Sequence, residues 1–242
     1  LSLGGISLGV LALLCVSSVM NGFRSDIQSR IVGTYADLRI SSKDGGGVAD
    51  YEGLAQDLGQ QRMKVSPVIR NELLLKNGEA MIPTLSFGID LKSQQQVSKT
   101  LIKPEKKHGE VIQGIITGTA DPQAFEQGGI ILGSGLAAAL GEYLGDELQV
   151  LSPVFNVPSA FGMLPRVRYL KVQALFAAGM PEYDQNFSYI PLQEAAFFSG
   201  YAGKVDYLEI RTPSFSRSKH YQKALQSKLP NYYVEDWSSF DS

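Results

Sequence analysis

The first 33 residues follow two helical patterns in succession. Leu1–Met20 contains no charged side chain, and twenty residues at 1.5 Å each make a helix of about 30 Å, which matches the hydrocarbon core of a bilayer. In the next segment Phe23, Ile27 and Ile31 recur at every fourth position between charged residues, so an amphipathic helix is predicted up to Gly33. The pattern therefore predicts a transmembrane helix that continues outside the bilayer as a stalk.

Two other interpretations of this N-terminal stretch fit less well. A cleaved secretory signal has a basic start, a shorter apolar core and small residues at its cleavage site, which the charge-free residues 1–20 match poorly. A lipoprotein signal around Cys15 needs a small residue where the bulky Leu14 stands. Because the chain begins at Leu1 rather than at methionine, we expect its true start to be missing.

After this stretch, hydrophobic positions alternate with polar ones. The alternation in Ala36–Ser41 predicts a strand, and Tyr51–Leu58 is typical of a short helix. Met63–Leu75 and Glu79–Gly88 predict the two strands of a β-hairpin. The reason is Asn77-Gly78 between them, which favours the left-handed dihedral angles of a type I′ turn.

The C-terminal end repeats the strand–helix–strand order. Val205–Arg211 predicts a strand, Ser216–Leu229 a helix, and Tyr232–Asp236 a further strand. Ser214 or Ser216 is the expected N-cap of the helix, since a hydroxyl there can accept from free backbone N–H groups.

Two such units at the ends of the chain, separated by a long middle, predict an α+β domain of two lobes. Residues 34–89 and 201–242 would form a split βαβ lobe of the ferredoxin-like kind. Residues 90–200 would form a second, β-rich lobe inserted into the first. Residues 1–33 are the predicted transmembrane and stalk helix.

The middle segment contains a pattern similar to a dinucleotide-binding fingerprint. Gly129–Leu132 predicts a strand, after which Gly133 and Gly135 open a G-x-G-x-x-A pattern at the start of a helix. That helix ends by Gly141, too short for a crossover, and no acidic residue stands about 20 positions on to hold a ribose. A tight turn and a short helix, followed by a strand at Glu147–Leu151, is the preferred interpretation; a membrane-anchored dinucleotide enzyme is the alternative.

Residues 151–168 carry more apolar side chains than a surface loop normally does. Their prolines prevent a helix and make strand pairing awkward, so a loop joining two strands is predicted. We call residues Pro153–Arg166 the apolar segment. Its side chains either tuck into the core or present an apolar face to a partner, and the residues alone leave both open. The candidate contact residues are Pro153, Val154, Phe155, Val157, Pro158, Phe161, Met163, Leu164, Pro165 and Arg166.

Composition excludes several functional classes. The 242 residues include 22 Lys and Arg against 24 Asp and Glu, whereas a nucleic-acid-binding protein needs a concentrated basic surface. One cysteine excludes a disulfide framework and a cysteine-ligated zinc site, and two histidines leave little for metal or relay chemistry. Neither a G-x-S-x-G elbow nor a G-x-x-x-x-G-K-[ST] phosphate loop occurs. We therefore expect no catalytic residue, no metal and no cofactor.

Three blocks of the sequence resemble the LolC/LolE lipoprotein-releasing ABC permeases. The first is similar to the end of that family's first membrane helix, the second to its central block, and the third to the segment that follows. They are Ser18–Arg24 with Arg30–Gly33; Ile130–Ala137 with Leu140-Gly141 and Leu144–Asp146; and Pro165-Arg166, Phe176, Gly179-Met180 and Glu182–Asp184. MacB-like permeases share the central block more loosely.

The resemblance implies a permease subunit of the bacterial inner membrane with a two-lobed, MacB-like periplasmic domain. The implied partners are a separate ABC ATPase subunit, a second permease subunit that is identical or homologous, a lipoprotein substrate, and a soluble LolA-like periplasmic carrier. In that family a Pro-flanked loop grips the carrier as a hook or a related pad, and the apolar segment stands at the matching place. Met20, Asn21 and Phe23 would border the entry site for lipid and lipoprotein, unless they are only a structural helix face.

The same architecture also fits a MacB-like efflux permease or a permease that regulates cell-wall hydrolases. Because the LolC/LolE family has further membrane helices after the periplasmic domain, we expect the chain to be an N-terminal fragment of a longer permease.

Overall fold

The computed structural model describes residues 36–104, 113–159 and 162–240. The strands in these ranges are β1 (Leu38–Ser42), β2 (Lys64–Asn77), β3 (Ala80–Ile89), β4 (Gly114–Gly118), β5 (Gly129–Gly133), β6 (Glu147–Ser159), β7 (Gly162–Ala177), β8 (Phe187–Pro191), β9 (Tyr207–Arg211) and β10 (Tyr232–Asp236). The α-helices are α1 (Tyr51–Gln60), α2 (Leu91–Val97), α3 (Pro122–Glu126), α4 (Ser134–Leu140), α5 (Pro181–Asn186), α6 (Leu192–Ser199) and α7 (Ser218–Lys228). Short 3₁₀ turns lie at Lys99–Leu101, Phe215–Arg217 and Trp237–Ser239.

The strands from the two ends of the chain interleave. They lie in the order β10-β1-β9-β2, and each neighbouring pair is antiparallel. Strand β9 therefore lies between β1 and β2, the two strands that α1 connects, which is the split βαβ arrangement. The predicted α+β class is confirmed in the described residues, and in them strands from the two ends of the chain pair directly.

The turn of the β2–β3 hairpin is shifted by one residue from its prediction. Asn77 pairs with Ala80, so the two turn residues are Gly78 and Glu79. Only Gly78 of these two has a positive φ, of +57°, which fits a type II′ turn rather than type I′. Asn77 is instead the last strand residue, and its side-chain amide donates to the Leu140 carbonyl at 3.0 Å.

The predicted serine cap of α7 is wrong. The N-cap position is Arg217, and no side chain caps the first turn. The hydroxyls of Ser214 and Ser216 lie 3.1 Å from each other, while the Ser218 hydroxyl donates to the Asp236 carboxylate at 2.6 Å. A 3₁₀ turn precedes the helix and changes which residue occupies the cap.

The middle of the chain extends the same sheet. Strand β8 pairs in parallel with β3, and the sheet continues through β5 and β7 to β4. Strand β6 pairs with β7 and also with Leu74–Lys76 of β2. In the described residues, strands of the inserted segment thus pair with strands of the end units at two places, β8 with β3 and β6 with β2. The residue limits of the two lobes stay a prediction.

Both faces of the sheet are covered by helices over separate apolar cores, because neighbouring residues of a strand point to opposite faces. On β9, Leu208 and Ile210 belong to the larger core and Tyr207 to the smaller one. Helices α1, α4, α6 and α7 contribute to the larger core, whereas Leu91 of α2 and Phe125 of α3 contribute to the smaller one. The larger core contains residues from the end units and from the inserted segment alike.

A buried polar network joins the first and last described strands. Asp37, with no exposed surface, accepts from the Arg211 guanidinium at 2.5 Å and from the Thr212 backbone and hydroxyl at 2.8 and 2.7 Å. Its own carbonyl accepts from the Trp237 N–H at 3.1 Å. The place where the chain enters the described domain is therefore fixed beside the end of β10.

No helix in residues 36–104, 113–159 or 162–240 is long and apolar enough to cross a membrane. The predicted membrane and stalk helix, with Met20, Asn21 and Phe23, lies outside the described residues.

Candidate functional site

The apolar segment is the outer half of a β-hairpin, so the predicted loop is wrong. Its strands pair from Phe155 opposite Pro165 to Ser159 opposite Gly162. Below this outer ladder, residues 152–154 of β6 lie opposite the single residue 166 of β7. Such a bulge needs no ladder hydrogen bond from its residues, and Pro153 lies inside it.

Most of the described side chains of the apolar segment face solvent. The exposed fractions are 58% for Val154, 54% for Met163 and 48% for Leu164. Pro153 and Pro158 are also exposed, while Pro165 and Arg166 are half-buried. The side chains of Phe155 and Val157, and the whole of Phe161, lie outside the description. Of the two alternatives, burial in the core is excluded for Val154, Met163 and Leu164.

The base of this hairpin is fixed to the C-terminal end of α6. The Arg166 guanidinium donates to the Phe197 carbonyl and, at 3.3 Å, to the Phe198 carbonyl. Both carbonyl groups lie in the last turn of the helix, where the regular intrahelical donors run out. Two residues further on, Arg168 donates to Glu194 at 2.8 Å and its guanidinium lies 3.3 Å from the centre of the Phe197 ring. The predicted contact residue Arg166 therefore orients the hairpin.

A cleft of about 660 Å³ opens beside the hairpin base. It lies where β9 stops pairing with β2, at Val68, and before β6 begins to pair at Leu74. Its lining combines the basic Arg39 and Arg70 with the acidic Glu72, and includes Pro153 and Val154 of the apolar segment. An apolar and mixed-charge surface of this kind suits contact with a polypeptide.

One carboxylate at the cleft is already engaged. Asp206 accepts from the Arg70 backbone N–H at 2.7 Å and from the Tyr201 hydroxyl at 2.6 Å. The hydrogen bond to Asp206 raises the pKa of Tyr201 to about 12, and partial burial and the negative charge of Asp206 act in the same direction. Asp206 thus stabilises the start of β9.

The candidate dinucleotide motif has a packing explanation. A Cβ on Gly133 would overlap the carbonyl oxygen of Asp184 in α5, and one on Gly135 would lie 2.8 Å from the Gln185 side chain. Helix α4 has seven residues, Ser134–Leu140, and is followed by the C-cap Gly141, whose φ is +69°. The preferred interpretation, a tight turn followed by a short helix, is confirmed, because α5 fills the space that a pyrophosphate would need.

Two features of the site were missed by the sequence reasoning. One is the cleft, which exists only because β9 and β6 leave a gap along β2. The other is the stacking of Arg168 on Phe197. A weak signal for the second is the pair of arginines two positions apart on β7, which places both on one face of the strand.

The family model of the MacB-like periplasmic core domain matches residues 1–228. The chain belongs to this family. Among solved structures, the periplasmic region of MacB from Actinobacillus actinomycetemcomitans matches this MacB-like domain over 87% of the chain and 92% of that structure. The identity is 14% and the TM-score is 0.50, so this likeness concerns the fold.

Curated relatives of this MacB-like chain carry more specific names. It is 31% identical over 196 residues to the lipoprotein-releasing system transmembrane protein LolC of Neisseria meningitidis serogroup B, covering 80% of the chain and 44% of that relative. It is 24% identical over 243 residues to the corresponding LolE protein of Haemophilus influenzae, covering 97% of the chain and 55% of that relative. The chain thus spans about half the length of the curated relatives it matches.

Proposed function

We propose that this chain is part of a permease subunit of an ABC transporter that extracts outer-membrane-directed lipoproteins from the inner membrane and passes them to a periplasmic carrier. The similarity to LolC and LolE, which covers 80% and 97% of the chain, supports this assignment. ATP hydrolysis belongs to a separate ABC ATPase subunit, and a second permease subunit completes the membrane part. The described domain lies in the periplasm and carries no catalytic step.

The carrier contacts the outer half of the β6–β7 hairpin. The observation behind this part of the proposal is the exposure of Val154, Met163 and Leu164 on neighbouring strands, because exposed apolar groups concentrated in one place mark interaction sites. A carrier for acylated proteins needs an apolar cavity, so an apolar hairpin tip is chemically suited to dock beside its mouth.

The test is carrier binding by the full-length permease complex in nanodiscs, measured by biolayer interferometry. Met163→Asp and Leu164→Asp each place a charge in the proposed contact, and we expect affinity to fall by at least tenfold, the size of a modest interface hot spot. The matched control is Met81→Asp. Met81 is 49% exposed, close to the 54% of Met163, but lies at the β2–β3 turn.

Equal carrier affinity in wild type, Met163→Asp and Leu164→Asp would remove the hairpin from the contact. If the wild-type complex binds no lipoprotein carrier and instead binds a trans-periplasmic adaptor or a cell-wall hydrolase, the lipoprotein-release function itself is wrong. The efflux or hydrolase-regulating alternative then takes its place.

A further inference from the structure

One edge of strand β2 is only partly paired in the described residues. Strand β9 covers it as far as Val68, and β6 covers it from Leu74 onward. Residues 69–73 between them span about 17 Å at the rise of an extended strand. They border the cleft of about 660 Å³, and a further cavity of about 360 Å³ shares Arg70 and Glu72 with it. The open edge therefore has room for a short added strand.

Alternate residues of β2 direct their backbone groups toward this edge. The Arg70 N–H donates to the Asp206 carboxylate at 2.7 Å, and the Val68 carbonyl accepts from the Asp206 N–H at 3.0 Å. Because the backbone groups of a strand alternate in direction from one residue to the next, those of Glu72 point the same way as those of Arg70. The carbonyl groups of Arg70 and Glu72 therefore both face the gap between β9 and β6.

Neither of these two carbonyl groups receives an N–H from the strand register. The β9 register places Val205 opposite Arg70, but the Val205 N–H donates to the Val48 carbonyl at 3.1 Å. The β6 register places Pro153 opposite Glu72, and proline has no N–H. In the described part of the chain, no other strand pairs with this edge. Two acceptors at strand spacing are therefore available to the N–H groups of another polypeptide.

The side chains along the open edge carry opposite charges. Arg70 and Glu72 are both exposed and lie two positions apart, so they share one face of β2. Since β6 and β9 both run antiparallel to β2, a strand added between them in the same direction continues the ladder. On that strand the residue opposite Glu72 comes two positions before the residue opposite Arg70. Opposite charges facing each other across strands are stabilising, so the complementary sequence is Lys-x-Glu.

We propose that the open edge of β2 binds an extended segment of a partner polypeptide as an added antiparallel strand, with a Lys-x-Glu sequence opposite Glu72 and Arg70. The backbone N–H groups of that lysine and glutamate donate to the Glu72 and Arg70 carbonyl groups, whereas the N–H of the residue between them points away from β2. Main-chain bonds provide the affinity, and the two charge pairs fix the register. This proposal does not depend on the role of the β6–β7 hairpin tip.

The probe is the fluorescein-labelled, C-terminally amidated peptide Thr-Lys-Thr-Glu-Thr, added to the full-length protein in nanodiscs and followed by fluorescence anisotropy. The matched control peptide is Thr-Glu-Thr-Lys-Thr, which has the same composition and places like charges opposite each other in the proposed register. We expect saturable binding of the first peptide, at least fivefold tighter than that of the second. No saturable binding of the first peptide, or equal affinity of the two, would overturn the proposal.

Methylation of single backbone nitrogens in the peptide tests whether it binds along a strand edge. A methyl group on the glutamate nitrogen removes the donor to the Arg70 carbonyl, so affinity should fall at least fivefold. The control carries the methyl group on the middle threonine, whose N–H points away from β2, and its affinity should stay within twofold. An equal loss in the two methylated peptides would contradict the added strand. This comparison uses the wild-type protein and therefore does not depend on how a variant folds.

A charge exchange in the protein connects the binding to this edge. The double variant Arg70→Glu with Glu72→Arg should reverse the preference, so that Thr-Glu-Thr-Lys-Thr binds at least fivefold tighter than Thr-Lys-Thr-Glu-Thr. The control is Lys64→Glu, at an exposed position of the same strand where β9 already covers the edge, and it should keep the wild-type preference. An unreversed preference in the double variant, or a reversal in the control, would place the peptide elsewhere on the protein.

Discussion

At the scale of single residues, buried charge is concentrated where distant parts of the chain meet. Asp37 precedes β1 and Arg211 ends β9, yet the two form an ion pair that Thr212 completes with two further hydrogen bonds. A buried charge is tolerated only when its partners are held in place. This cluster therefore stabilises the junction of the start of β1 with the end of β9.

Asp37→Ala should destabilise the protein by about 3–5 kcal/mol, the usual cost of removing one member of a buried pair, because the Arg211 guanidinium and the Thr212 N–H and hydroxyl lose the buried carboxylate that they share. Chemical denaturation followed by circular dichroism measures the change. The control is Asp44→Ala, since Asp44 is exposed and bonds within its own turn to Ser42 and Gly46. A loss in Asp37→Ala no larger than in the control would contradict the structural role.

Tyr201 gives the protein a pH dependence at alkaline pH. Its pKa is about 12 in the folded state against 10.0 ordinarily, so the folded state favours the protonated hydroxyl. The stabilisation is complete below pH 10 and is lost as the pH rises from 10 to 12. The difference in free energy of unfolding between wild type and Tyr201→Phe should shrink over that interval. A difference that does not change with pH would show that the Asp206 bond is absent.

At the scale of elements, a hydrogen-bonded helix end orients the proposed contact hairpin. Helix α6 ends at Gly200, whose φ is +68°, and the Arg166 guanidinium occupies the space beside this glycine. The outer ladder of the hairpin pairs only its own two strands in the described structure, because the pairing of β6 with β2 stops at Leu151. Its direction therefore depends on the bonds at its base.

Arg166→Met should loosen the hairpin without unfolding the domain. We expect a loss of about 1–3 kcal/mol, the size of hydrogen bonds donated by a charged group, and faster amide exchange in β6, β7 and the last turn of α6. Hydrogen exchange with mass spectrometry measures both regions. Lys171→Met is the control, because Lys171 is an exposed residue of the same strand. Unchanged exchange in Arg166→Met would mean that the hairpin is rigid by itself.

At the scale of the whole molecule, the end units and the inserted segment share one sheet and one large core. Leu132 of β5 and Ile210 of β9 have no exposed surface and belong to the same cluster, although they come from the two different predicted lobes. Cooperative unfolding follows contacts rather than sequence order. The two regions should therefore be protected and lost together.

Leu132→Ala and Ile210→Ala should each cost about 2–5 kcal/mol, because both leave a cavity in a close-packed core. Native-state hydrogen exchange should show lower protection in both β5 and β9 for either substitution. Val154→Ala, at a 58% exposed position, is the control. If each substitution lowers protection only in its own predicted lobe, the two lobes unfold independently and the shared core does not couple them.

The sequence predicted which residues form the candidate site, but it did not predict that they form a β-hairpin. The apolar segment was recognised from its side chains, and the exposure of Val154, Met163 and Leu164 agrees with one of the two alternatives left open. Its prolines predicted a loop because local rules place proline outside ladders. The bulge that accommodates Pro153 depends on which residues of β7 lie opposite, and a single segment does not contain that information.

Elements whose signals are local were determined by the sequence itself. Three such regions depend only on neighbours within a few positions. They are the alternating residues on both sides of the β2–β3 turn, the strand, helix and strand at the C-terminal end, and the short helix with its left-handed glycine after β5. The hairpin turn lies one residue from its predicted position, because strand register decides it. The α7 cap lies one or three residues from the two predicted serines, because a 3₁₀ turn precedes the helix.

Only the tertiary structure decided the features that join distant residues. Gln94 meets Glu209 across 115 positions, Arg166 meets Phe197 across 31, and the cleft exists because β9 and β6 pair with separate parts of β2. No local pattern encodes such contacts, since each arises from strand order and register over the whole sheet. Burial raises the free-energy cost of a polar group that lacks a hydrogen bond. Since burial is a property of the folded molecule, this cost is also decided only by the tertiary structure.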